Sequence, residues 1–464
     1  MKRLVSILSS VITAVAAFGA SFQSLCAATG KADADIVTFV TAKREQTEQT
    51  ANRVGVVLPS EVRKMFAAAA AGDWRGVSNL FNTISLKYKP YEQGDVTNRL
   101  DPEVWYPVQE VGGFCEMLAF SDPKYIRLFA NETFKVVPAG SVYFGGTDPG
   151  RFVITALSSS HREGRPFFTI TQNQLVTTNY LDYLRGMYGD RLKLPGPEAL
   201  QLALTNYVKD AERRWQHDRD FPNEPRQIRP GEEVQTVNGR PQASGTTAVM
   251  EVNGRLAKDI VEANADKEFY VEESYPINWM YPHLSPIGPI LQLHHRSLDT
   301  LSEAVALRDR EYWTALTQRL TGLKITDETS LDETVADAER LKGNPGGFQG
   351  ERAFLHDDRS RQNFAKLRSA GAGIYAWRAA HAKSSAERRR MVRDAELAFK
   401  QACIFHPGNP EALWRYTTFL IELDRVEDAQ KLTTAAGKLN PDIPNLASLT
   451  NYVQQVMDWK KRAQ

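Results

Sequence analysis

Three short stretches carry side chains whose types and spacing suit chemistry on a polar ligand. The first is Gly145-Gly146-Thr147-Asp148-Pro149-Gly150-Arg151. Free backbone N–H groups at a helix start, the helix dipole and Arg151 together suit a negative charge. Asp148 opposes a bare anion unless a metal or a sugar hydroxyl is the partner. The spacing fits neither G-x-G-x-x-G nor G-x-x-x-x-G-K-[ST]. A glycine turn capped by Asp148 explains the same residues without a ligand. The second stretch is Gln172-Asn173-Gln174, whose amides offer paired donors and acceptors. An amide-rich turn is the alternative. The third is Glu272-Glu273, which supplies a general acid or a metal ligand if one carboxyl is partly buried. Neighbours on a strand face opposite sides, so at most one faces a site. Salt-bridged surface is the alternative there.

Other chemistry is thinly represented. His294-His295 is adjacent rather than at metal-ligand spacing, and no Cys or third His lies nearby. There is no Gly-x-Ser-x-Gly elbow, no H-E-x-x-H and no CxxC pair, so the sequence implies no metal and no cofactor. Tyr275, Trp279 and Tyr281 suit stacking on a sugar, or equally a core between a sheet and a helical layer. Whether a reaction is catalysed is left open.

The elements that must position these residues are strands and helices in alternation. Val142-Tyr143-Phe144 is a short apolar strand, as expected when both faces are covered. Phe168-Thr169-Ile170 is a second, followed by a helix carrying Tyr180, Leu181, Leu184 and Met187. Strand–helix–strand–helix order predicts parallel strands with right-handed crossovers. Gly145–Asp148 and Gln172–Gln174 then lie side by side at the carboxyl ends, where open α/β sheets bind ligands. Phe269-Tyr270-Val271 is a third strand, ending in Glu272-Glu273, and Ile290–Leu293 a fourth, as a neighbour or edge. The expected fold class is α/β plus all-α: a small, mostly parallel sheet with flanking helices, followed by helical repeats.

Along the chain, residues 29–133 form an N-terminal helical region. It begins with a polar segment, Thr29 to Asn52, and contains a helical hairpin over 60–84. Ser60 is its expected N-cap and Gly72 its turn. Residues 85–110, rich in Tyr, Pro and Asp, read as irregular, and Glu116 to Glu132 as one or two helices. The α/β domain spans 134–297. Within it, Pro195–Trp215 reads as a helix, 216–233 as an exposed loop, and the Asn-Gly pairs at 238–239 and 253–254 as turns. Residues 298–365 form a helical connector, and 366–464 the repeats.

The chain has 464 residues, 42% hydrophobic and 24% charged, which fits two or three globular domains. A net charge of +1 creates no basic field, so no nucleic acid is expected. Lys2 and Arg3 precede an apolar run from Leu4 to about Ala20 and a small-residue end, the pattern of a secretory signal peptide over 1–28. Cleavage near Ala27 or Ala28 makes the protein periplasmic or secreted, with no membrane span afterwards; an uncleaved anchor is the alternative. Cys26 follows Leu25 and, three back, Gln23, which is a poor lipobox. The remaining Cys115 and Cys403 read as two buried free thiols.

The C-terminal part holds an internal repeat. Ala395, Ala402 and Pro407 recur as Ala429, Ala436 and Pro441, each displaced by 34 residues. Phe399 fits between the alanines, Asn409-Pro410-Glu411-Ala412-Leu413-Trp414 opens the next unit, and Leu446 to Trp459 reads as a capping helix. Arg388-Arg389-Arg390 is a basic insertion in this frame. The pattern resembles the tetratricopeptide repeat family, and the resemblance implies stacked helical hairpins with a protein or peptide partner. Residues 134–295 resemble secreted bacterial proteins of unknown function, of the kind seen in Verrucomicrobia. They also resemble the soluble C-terminal region of multi-spanning, glycosyltransferase-like membrane proteins. The segments Pro138–Phe152, Phe168–Leu175 and Phe269–Pro282 carry that second likeness, which implies no active site. The sequence therefore supports an exported interaction scaffold. The alternative is an enzyme or small-ligand binder at the strand edge, related to glycans or sugar phosphates.

Overall fold

A computed structural model describes residues 33–88, 100–146, 149–158, 164–237, 240–273 and 277–463. Residues 1–28, read above as a signal peptide, and Thr147, Asp148 and Tyr275 lie outside them. The described chain divides into two compact units, one of residues up to 119 with 138–269 and 277, the other of 120–137, 270–273 and 278–463.

In chain order, the first elements are helices α1 (Ala34–Val54), α2 (Ser60–Ala71), α3 (Trp74–Tyr88), α4 (Pro102–Phe120) and α5 (Pro123–Phe134). The segment read as polar is thus largely α1. Its buried face is Ile36, Phe39, Val40, Lys43, Thr47 and Ala51, a helical stripe in which Lys and Thr interrupt the apolar signal. Gly72 closes α2 at φ +77°, as expected of a left-handed C-cap. Ser60 is the first helical residue rather than the cap, and its hydroxyl turns to Glu61. The stretch expected to be irregular gives way to α4 at Pro102. That helix is buried around nearly its whole circumference, so it shows no amphipathic period.

Strand β1 (Val142–Gly145) pairs in parallel with β2 (Phe168–Thr171), in the register Val142↔Phe168 to Gly145↔Thr171. Between them lie a five-residue π-turn, Pro149–Val153, and the short α6 (Ile154–Leu157). After β2 come a 3₁₀ turn, Gln172–Gln174, then α7 (Thr178–Tyr188) and α8 (Pro197–Asp220), the last running five residues beyond its expected end. Strands β3 (Glu233–Val237) and β4 (Arg240–Ser244) make the expected antiparallel hairpin. Helix α9 (Thr246–Ala263) runs straight through Asn253-Gly254, where a turn was expected. The helix wins because Val249, Val252, Leu256 and Ile260 form its buried stripe and Asn253 bonds Asn173 and Val176, while a Cβ at 254 would lie 2.9 Å from Ile277 Cγ2. Glycine lets α9 pack closely at that point.

Strand β5 (Phe269–Val271) is followed by β6 (Leu284–Ile287) and β7 (Ile290–Leu293), an antiparallel pair. The sheet order is β2-β1-β5-β7-β6, so the sheet is mixed and β7 is internal. Beyond it the second unit is helical: α10 (Glu303–Thr321), α11 (Leu331–Gly343), α12 (Arg352–His356), α13 (Asp358–Ala380), α14 (Ser385–Phe405), α15 (Pro410–Glu422), α16 (Val426–Leu439) and α17 (Leu446–Ala463). Their starts are written in the sequence. Ser302, Asp357, Ser384 and Asn409 each accept a backbone N–H of the first turn, and Ser330 with Glu333 forms a capping box. Among the described residues, no helix is long and apolar enough to cross a membrane.

Candidate functional site

In the first unit the parallel register of β1 and β2 brings the glycine turn and the amide turn together. Asn173 Nδ2 donates to the Gly146 carbonyl at 2.9 Å. The turn folds back so tightly that a Cβ at Gly145 would sit 2.6 Å from the Gly150 carbonyl oxygen. Arg151 lies on the π-turn with its guanidinium 4.1 Å from the centre of the Phe152 ring. With so short a helix behind the turn, the dipole offered to an anion is small.

The amides themselves are tied into the fold. The Asn173 carbonyl accepts from Asn253 Nδ2 at 3.1 Å, and Asn253 Oδ1 accepts from the Val176 N–H at 2.7 Å. Asn253 is fully buried on α9. Gln174 Nε2 donates to Gln109 Oε1 at 3.0 Å. Gln172 is buried, and its Oε1 has no hydrogen-bond partner among the described residues.

In the second unit, both acidic candidates are buried and paired. Glu272 accepts from Lys366 Nζ at 2.7 Å. Glu273 accepts from the Tyr281 hydroxyl at 2.8 Å and from Arg415 at 2.7 Å. Burial alone would lower the Arg415 guanidinium, but Glu273, Tyr281 and Glu411 hold it above its ordinary value. Burial, with the Glu273 charge beside it, pushes the Tyr281 hydroxyl well up. The two carboxylates diverge to different helices, α13 and α15. They border a cavity of only about 10 Å³, which fits at most a single water. Asp309 extends the charged layer, accepting from Arg368 at 2.8 Å and from the Tyr375 hydroxyl at 3.0 Å. Arg368 also donates to Gln401, so α10, α13 and α14 share one network.

Several residues were not singled out by their sequence context. Lys43 is fully buried in the first unit, 2.6 Å from Glu110 and 2.9 Å from the Tyr183 hydroxyl. Arg214 and Glu232 form a second buried pair there, with the Tyr207 hydroxyl on the same carboxylate. The lone signal for either is a charge inside an otherwise apolar stripe. In the second unit an open groove of about 460 Å³ runs along α14, lined by Arg388, Arg389, Arg393, Lys400, Asp327 and Glu396 among others. The triple arginine is its visible trace in the sequence.

The remaining candidates have local partners. Tyr281 also packs against Trp377, with ring centres 6.0 Å apart, and His294 Nε2 lies 2.8 Å from the Ser285 hydroxyl. Cys115 and Cys403 are free and buried, and burial pushes both thiols up, Cys403 to about 12. Among the described residues, no group of three His, Cys, Asp or Glu side chains is placed to hold a metal ion.

No protein-family model matches the chain, and neither does any curated protein or solved structure.

Proposed function

We propose that the chain is an exported interaction protein. Its C-terminal helix pairs, read as tetratricopeptide-like repeats, carry the partner surface, and the strand-bearing part serves as scaffold. The observation that supports this most is the fate of the 34-residue period. Ala395, Ala402, Ala429 and Ala436 are all buried, on α14 and α16, the second helices of two successive pairs. Small residues at those points let paired helices approach closely. Trp414, on the first helix of the second pair, is 46% exposed, an aromatic without full cover on a surface of this kind.

The test is site-specific photo-crosslinking from position 414 in cells that export the protein. Repeated capture of one defined protein, lost when Arg or Asp replaces neighbouring exposed positions of α15, supports the reading. Crosslinks spread over abundant proteins count against it.

A second reading, a small polar ligand at the β1–β2 turn, draws on the buried and unpartnered Gln172 Oε1 beside Asn173. A thermal-shift screen with glycans, sugar phosphates and divalent metals tests it, since binding the native state alone raises apparent stability.

A further inference from the structure

We propose that the groove along α14 binds a carboxylate-rich peptide segment of a partner protein, a reading that rests on the interaction function proposed above. Arg388 and Arg389 are exposed and make no ion pair or hydrogen bond among the described residues. They sit in the first turns of α14, where the helix dipole disfavours cations. Folding alone gives no reason for them there. Arg390, beside them, has a structural task, donating to the Leu301 carbonyl at 2.7 Å.

The other charged groups in the groove already have partners. Asp327 accepts from Arg310 at 2.6 Å, and Arg393 stands 3.7 Å from the same carboxylate. Glu396 is held by Arg425 at 2.8 Å. Lys400 is almost wholly buried at the base, its ammonium donating to the Thr326, Asp327 and Thr329 carbonyls. The charged groups left without a partner among the described residues are therefore Arg388 and Arg389.

Guanidinium groups match carboxylates two bonds at a time, which suits Asp and Glu side chains. Val392 and Leu423 give the groove an apolar part for side-chain stems. Arg388 and Arg389 are adjacent on α14 and so do not face each other, which suits separate carboxylates on a peptide better than one compact phosphate. A volume of about 460 Å³ suits a few side chains of such a segment.

The experiment uses the chain without its leader and a fluorescent decapeptide alternating Glu with Leu and Ala. Controls are the same peptide with Gln for Glu, and inorganic phosphate as competitor. Anisotropy should show binding of the acidic peptide, weakening as salt rises. Arg388→Gln/Arg389→Gln should weaken it about tenfold, and Arg388→Glu/Arg389→Glu further still. Both positions are exposed, so each variant should keep the thermal midpoint of the parent. Equal binding of the Glu and Gln peptides, or no effect of the arginine changes, overturns the proposal. Displacement by phosphate at concentrations similar to the peptide overturns it as well. Capture of a partner from position 414 is read independently. A partner found there with no acidic-peptide binding leaves the scaffold function standing and removes this groove from it.

Discussion

At the end of β2 the chain satisfies its buried polar groups with neutral amides. Asn173 bonds Gly146, Asn253 bonds Asn173 and Val176, and Gln174 bonds Gln109. At the end of β5 it uses charges: Glu272 on Lys366, and Glu273 on Arg415 and Tyr281. Both regions place polar residues just past a strand, and in the sequence both resemble the rim of a ligand site. They differ in what happens when one partner is removed. A neutral hydrogen bond is worth about 0.5–1.5 kcal/mol net, whereas a stranded buried charge costs several times that. The acidic pair therefore acts as a staple between strand and helices, and the amide cluster as a brace for a loop.

The largest test of this contrast is at the charged end. Lys366→Met and Arg415→Met should each destabilise by about 3–5 kcal/mol, since each takes the cation away from a buried carboxylate. Urea unfolding checks this. Pairing Lys366→Met with Glu272→Leu removes both charges and should recover most of the loss. If the single variants lose under about 1 kcal/mol, the carboxylates are better solvated than their burial implies and the staple is a misreading.

At the amide end the expected effect is smaller. Asn253→Ala removes one donor and one acceptor from a fully buried position, at about 1–3 kcal/mol. Hydrogen exchange should quicken at the Val176 amide, which loses its acceptor. An effect as large as that at Arg415 would erase the distinction between brace and staple.

The difference between the two ends also marks what was legible in the sequence. Short apolar strands, glycine stops and Ser/Asn caps act locally, so β1, β2, Gly72 and Asn409 could be read directly. So could the adjacency of Gly146 and Asn173, which follows from parallel pairing. Lys43 in α1 could not, because a buried charge looks like surface until its distant partners, Glu110 and Tyr183, are known. Asn253-Gly254 misled for a related reason. The pair has turn chemistry, but tertiary contacts with Asn173, Val176 and Ile277 hold it in a helix. Glu272 and Glu273 were visible as candidates, and so was Tyr281 eight residues on, but the cationic partners Lys366 and Arg415 lie 94 and 142 residues away and carry no local mark.

A charge pair in the first unit sharpens the comparison through pH. Burial alone would raise the Glu232 carboxyl, but Arg214, Tyr207 and the Arg229 N–H hold it below its ordinary 4.5. A depressed carboxylate stabilises the fold above its unfolded pKa, and the gain is lost on acidification through the folded value. The parent should therefore lose stability relative to Glu232→Gln as pH falls below about 4.5. Asn253→Ala should show no such pH-dependent difference, since no titrating group belongs to the amide cluster. Parallel pH profiles for the parent and both variants would mean that Glu232 is not held as its contacts indicate.

The smallest expected effect falls on Gln172, the one member of the amide turn with a buried oxygen left over. If the turn is only a brace, Gln172→Leu removes an unsatisfied acceptor, and its stability should change by less than about 1 kcal/mol in either direction. If the turn holds a polar ligand, that oxygen is the acceptor waiting for it. The same substitution would then abolish any thermal shift found with a glycan or sugar phosphate while leaving the unliganded midpoint unchanged. The two outcomes separate cleanly because one is read without ligand and the other only with it. A stability loss well beyond 1 kcal/mol would show that Gln172 already has a partner, and would fold it into the same bracing network as Asn173 and Asn253.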